Sequence, residues 1–60
     1  MTATQAIAKL TERGYVVRQD RFVRAFYVVS HNRRKAKTLT HDAMISLAAG
    51  YTTWQGINQA

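Results

Sequence analysis

Two runs of β-branched and aromatic side chains dominate the first half of the chain. Residues 15–19 read Tyr-Val-Val-Arg-Gln, and residues 22–30 read Phe-Val-Arg-Ala-Phe-Tyr-Val-Val-Ser. Such runs favour the pleated, half-buried surface of a sheet. Only Asp20 and Arg21 separate them, which is room for a turn between antiparallel strands but not for a crossover. The turn is not of the Asn-Gly type, so it does not set the register by itself. A lone hairpin is marginal in water. The rest of the chain must therefore cover it.

The flanks are built for that. Ala3, Ala6, Ile7 and Leu10 recur at the helical period, with Gln5, Lys9 and Glu12 on the other side. Thr2 followed by Gln5 fits a capping box, and Gly14 suits the left-handed position that ends a helix over residues 3–13. Later, Thr40 is a good N-cap and Asp42 places negative charge in the first turn, where the helix dipole favours it. Met44, Leu47, Ala48 and Tyr51 then give an i, i+3, i+4, i+7 stripe, and Gly50 ends or frays the helix. Thr52 and Gln55 are spaced to cap one further short helical turn, with Trp54 and Ile57 on one side. Between the hairpin and the second helix, His31, Asn32 and Arg33 read as a turn. Residues 35–39 read as a third, lysine-bearing edge strand, whose charge would discourage pairing with other chains. The expectation is an α+β fold in which residues 1–60 form a single small domain. An antiparallel hairpin or three-stranded meander packs against two helices in the order α-β-β-(β)-α, with a short C-terminal helical turn.

The alternation of strand side chains raises a question of coverage. Val23, Ala25, Tyr27 and Val29 share one face of the second run, and Phe22, Arg24, Phe26 and Val28 share the other. Both faces are apolar, yet two helices cover only one. The second face is either an interface, with a homodimer partner or another protein, or is half-covered by the stems of Arg18 and Arg24. Phe22, Phe26, Val28 and Trp54 are the interface candidates. Trp54 either docks onto the domain or anchors a partner. The Phe22-Arg24-Phe26 row is either an Arg packed over two phenylalanines or a surface that stacks bases while the guanidinium meets phosphate.

Charge is the loudest compositional signal. Nine Lys and Arg face three acids, for a formal charge of +6. Residues 15–39 hold Arg18, Arg21, Arg24, Arg33, Arg34, Lys35 and Lys37 against Asp20 alone, so seven minus one gives a local charge of +6. A clustered positive field attracts polyanions, although a solvated, solubilising surface has the same composition. These seven residues are the candidates for nucleic-acid contact, chiefly to phosphates, which give affinity with little sequence information. The run from Arg33 to Lys37 lies just before Thr40, so on a loop or edge strand it would set four cations beside a helix N-terminus, an arrangement suited to phosphate. No base-reading helix of the helix-turn-helix kind stands out.

The inventory for catalysis is thin. There is no cysteine, and the histidines are His31 and His41 with Glu12, Asp20 and Asp42 as the acids. Ser30 and His31 are neighbours in a strand and point to opposite faces, so they do not form a nucleophile–base pair. His41 and Asp42 read as helix-start residues. Two histidines without thiolates make a poor metal set, and no phosphate loop is present, so no enzyme activity, metal or cofactor is expected. No apolar stretch approaches the roughly 18 residues that span a bilayer, and the N-terminus has no secretory pattern. A cytoplasmic location without membrane attachment is the expectation.

Two resemblances follow from the residues above. Leu10, Gly14-Tyr15, Val17, the strand Phe26-Tyr27-Val28-Val29 and Leu39-Thr40 leading to Leu47-Ala48 resemble small phage- and prophage-encoded accessory proteins, over nearly the whole chain. That likeness rests mostly on core and turn residues and implies regulation rather than a particular activity. The first helix with Gly14-Tyr15 and Val16-Val17-Arg18-Gln19 also resembles the HicA-type toxin fold, a small basic domain similar to double-stranded-RNA-binding domains. HicA-type toxins carry a Gly-Ser-His segment leading into the second strand, with the histidine catalytic. Here that stretch is Asp20-Arg21-Phe22-Val23-Arg24, so the resemblance implies a shared fold outline but not RNA cleavage. Together these readings imply a non-enzymatic accessory or regulatory protein that contacts nucleic acid through phosphates. The alternative is an interaction module or inhibitor of a host protein with an acidic face, dimeric in one form and without a nucleic-acid role.

Overall fold

The chain folds in the order α1 (Ala3–Glu12), β1 (Tyr15–Gln19), β2 (Phe26–His31), β3 (Lys37–Thr40), α2 (His41–Ala49). This computed structural model describes residues 1–32 and 34–59. The expected turn residue and candidate cation Arg33 lies outside the described residues. The strands form one antiparallel sheet in the order β1-β2-β3, so the third strand exists and the meander is the correct form of the sheet.

Local chemistry sets the helix bounds. Thr2 Oγ1 accepts from the Gln5 amide at 3.2 Å, and the Gln5 side chain accepts from the Thr2 amide at 3.0 Å, which completes the capping box. Thr40 caps α2 by accepting from the Ala43 amide at 3.2 Å. At the far end of α2, Gly50 takes φ 87°. Its amide reaches Leu47 O, and the Tyr51 amide reaches Ser46 O. These two bonds form a Schellman closure. The reversal corrects one expectation: Tyr51 falls beyond the helix, leaves the apolar stripe and is 87% exposed.

The register places Tyr15, Val17, Tyr27, Val29, Lys37 and Leu39 on one face of the sheet. Both helices pack there. The core contains Ala6 and Leu10 from α1, Met44, Leu47 and Ala48 from α2, Tyr27, Val29 and Leu39 from the sheet, and Trp54 and Ile57 from the tail. The tail makes one turn, with Thr53 rather than Thr52 as its cap: Thr53 Oγ1 accepts from the Gly56 amide at 3.1 Å.

The β1–β2 connection differs from expectation. It spans six residues, 20–25, rather than two, and β2 begins at Phe26. Asp20 Oδ1 accepts from the amides of Phe22 and Val23, at 2.7 and 3.0 Å. The Gln19 side-chain amide donates to Arg24 O at 2.7 Å, and the Phe26 amide donates to Val23 O at 3.0 Å. These local bonds satisfy backbone that would otherwise extend the ladder. As a result Phe22, Val23, Arg24 and Ala25 lie outside the strand, and the expected Phe22-Arg24-Phe26 row along one strand face does not exist. β3 likewise spans 37–40 rather than 35–39, leaving Lys35 in the loop.

Candidate nucleic-acid interface

Hairpin topology divides the basic middle of the chain. The β1–β2 connection and the β2–β3 connection lie at opposite ends of the sheet, separated by the length of β2, roughly 17 Å at strand rise. Arg18, Arg21 and Arg24 gather at the first end and are exposed; Arg34 and Lys35 stand exposed at the second. The pairing of Phe26 with Thr40 puts the α2 N-terminus at the first end. The run after Asn32 is therefore not beside that helix N-terminus: β3 carries the chain the length of the sheet before α2 starts. The residues that do occupy it are His41 and Asp42, whose Nδ1 and Oδ1 lie 3.6 Å apart.

No Lys or Arg among the described residues lies within ion-pair distance of a carboxylate. Lys37 nonetheless has a structural partner. It points to the helix-covered side, where its Nζ donates to Trp54 O at 2.6 Å and sits 4.9 Å from the centre of the indole. Its charge thus holds the tail to the edge strand. Trp54 is only 8% exposed. Its ring meets Tyr15 and His31 edge-on, at 5.6 and 6.1 Å, and those two rings stack at 4.1 Å. Of the two roles open to Trp54, the structure shows docking onto its own domain.

The opposite face of the sheet carries Val16, Arg18, Phe26, Val28, Ser30, Thr38 and Thr40. No helix lies over it. Val16 is 54% exposed, and Phe26 and Val28 are half-buried. Where this face meets the β1–β2 connection, Arg18, Gln19, Asp20, Arg21, Phe22 and Val28 line an open groove of ≈ 310 Å³. Phe22 stands 92% exposed at this groove. A second cleft of ≈ 350 Å³ at the other end is lined by His31, Asn32, Arg34, Thr53, Trp54 and Gln55. So Phe22, Phe26 and Val28 lie on the open side of the sheet, whereas Trp54 is on the covered side.

Two features of this region escape the residue pattern. The Asp20 carboxyl is held below its ordinary range, first by the Val23 amide and then by the Phe22 amide. The Asp-x-Phe-Val spacing is compatible with such a turn, but nothing in it fixes a six-residue loop. The clamp between Lys37 and Trp54 joins residues 17 apart in sequence, with no local signal to reveal it. No helix among the described residues is long and apolar enough to cross a membrane. No family model, no curated protein and no solved structure matches the chain.

Proposed function

We propose that the chain is a small accessory or regulatory protein of the phage type, without catalytic activity of its own, that contacts nucleic acid mainly through phosphates. The observation that carries this reading is the exposed, carboxylate-free state of Arg18, Arg21, Arg24, Arg34 and Lys35. Unpaired surface cations at two ends of a rigid sheet suit a polyanion long enough to reach both. The partner is a nucleic acid met in the cytoplasm, and no cofactor or metal takes part. On duplex DNA each phosphate contact contributes about 0.9 to the slope of log affinity against log salt. Replacing Arg21 and Arg24 by Gln, and separately Arg34 and Lys35, should each remove close to two contacts' worth of slope. A salt titration unchanged by both pairs would refute the assignment.

The uncovered sheet face favours a second reading, an interaction module or inhibitor that docks on the acidic face of a host protein, alone or as a homodimer. It makes Val16, Phe26 and Val28 at least as important as the arginines. Light scattering at near-physiological salt tests the dimeric form: a monomeric mass removes it.

A further inference from the structure

The reading above leaves Phe22 unexplained. It is the most exposed large apolar side chain of the fold, at 92%, yet it is not carried on a floppy segment. Its amide donates to Asp20 Oδ1 at 2.7 Å, and the next amide, that of Val23, donates to the same oxygen at 3.0 Å. Gln19 ties the far side of the loop by donating to Arg24 O, and the ladder resumes with the Asp20 amide on Phe26 O at 2.9 Å. The backbone carrying the phenyl ring is thus tethered, and Phe22 lines a groove together with Val28, Arg18 and Arg21. A solvent-facing ring on a tethered backbone, in a groove that two arginines also line, combines a stacking platform with phosphate contacts.

We infer that this groove receives one nucleotide of a single-stranded nucleic acid, with the base stacked on Phe22 and the adjoining phosphates met by Arg18 and Arg21; the inference rests on the nucleic-acid reading and specifies its substrate. In a duplex the base faces are already stacked on each other, so the exposed phenyl gains nothing from it short of wedging between base pairs. An unpaired strand offers an apolar base face and a phosphate within the same nucleotide. Charge complementarity selects this occupant over a second copy of the chain. The open face and its groove carry Arg18 and Arg21, and the one acid there, Asp20, already accepts two amides. Two copies placed face to face would oppose like charges around a narrow apolar strip.

The test compares the full chain with Phe22→Ala, Phe22→Trp and the double variant Arg18→Gln/Arg21→Gln. The probes are a fluorescent single-stranded oligonucleotide of mixed sequence and the duplex made from it, titrated at about 150 mM salt, where exposed charges are screened beyond ~8 Å. The parent is expected to prefer the single strand. Phe22→Ala should weaken single-strand binding about tenfold, within the range of one lost base stack, and leave duplex binding unchanged. Phe22→Trp should restore it, and the arginine variant should lower the salt slope. The exposure of Phe22 makes folding of these variants straightforward to confirm by thermal melting. Equal effects of Phe22→Ala on both probes, no effect on either, or a parental preference for duplex would overturn the groove assignment while leaving the nucleic-acid reading intact. Absence of binding to both probes removes both. Polyglutamate competing as well as the single strand would reassign the groove to an acidic protein partner and overturn the inference.

Discussion

Replacing Trp54 by alanine tests whether the C-terminal tail belongs to the core. A tryptophan buries on the order of 150–250 Å² when fully enclosed. With the residue 8% exposed, that leaves roughly 140–230 Å² removed from water, or about 3.5–6 kcal/mol at 25 cal/mol per Å². Aromatic-to-alanine changes in cores cost about 3–5 kcal/mol, in the same range. A chain of 60 residues has a total stability of only about 3–9 kcal/mol at the usual value per residue. Trp54→Ala should therefore remove a large part of the stability. At about 4–8 °C per kcal/mol for a domain this small, the melting temperature should fall by at least 12 °C. Far-ultraviolet circular dichroism on heating reads this directly, with Tyr51→Ala as the control, because Tyr51 is 87% exposed and should leave the midpoint unmoved. A Trp54→Ala midpoint within a few degrees of the parent would refute the packing argument and return the indole to the surface as a partner anchor.

Three further perturbations follow from the same contacts. Lys37→Met removes the ammonium from Trp54 O and the indole face and should cost about 1–2 kcal/mol. It should leave the salt slope of nucleic-acid binding unchanged, whereas Arg21→Gln changes the slope and not the melting temperature. Gly50→Ala forces a side chain into the left-handed conformation at φ 87° and should destabilise by about 1 kcal/mol in thermal melts, with Gly50→Asn milder. Asp20→Ala should speed hydrogen exchange at the amides of Phe22 and Val23 while leaving the β2–β3 ladder protected. Acid should have a similar effect on the parent. Because the native carboxyl titrates below its ordinary value of 3.8, its contribution is full above that value and is lost as pH falls through the lower native one.

Both helices and the order of elements were legible because their signals are local. Thr2 with Gln5, Thr40, Gly14 and Gly50 are all read within a few residues of the ends they define, and apolar spacing correctly placed Ala6, Leu10, Met44 and Leu47 inside. The β1–β2 connection was not legible, because its composition is that of a strand. Phe22 and Val23 have strand-forming side chains, and only the competing bonds to Asp20 and from Gln19 remove them from the ladder. Charge was legible as an amount and misleading as a place. Arg24 and Arg34 are close in sequence, but β2 runs between their loops and puts them at opposite ends of the sheet. Lys37 counts as one more cation until its distant partner Trp54 is seen.

The division of apolar residues between the two sheet faces limits where a partner can bind. Each helix has nine or ten residues, a length of roughly 14–15 Å at helical rise. Trp54 lies at the end of the covered face where Tyr15, His31 and Lys37 lie. Trp54 and Ile57 are both buried in the core, so the tail contributes to it and is not an appendage. On this face Tyr27, Val29 and Leu39 are buried and Tyr15 and Val17 are half-buried. The large apolar side chains that stay exposed are Val16 on the open face, Phe22 and Val23 in the connection beside it, Met1 ahead of α1 and Tyr51 beyond α2, with Phe26 and Val28 half-buried on the open face. Val16, Phe22, Val23, Phe26 and Val28 adjoin the arginine-bearing end or the open face. On the proposed reading, a ligand that uses both stacking and charge approaches from the side of the sheet that the helices do not cover, at the β1–β2 end, where Phe22 lines a groove with Arg18 and Arg21.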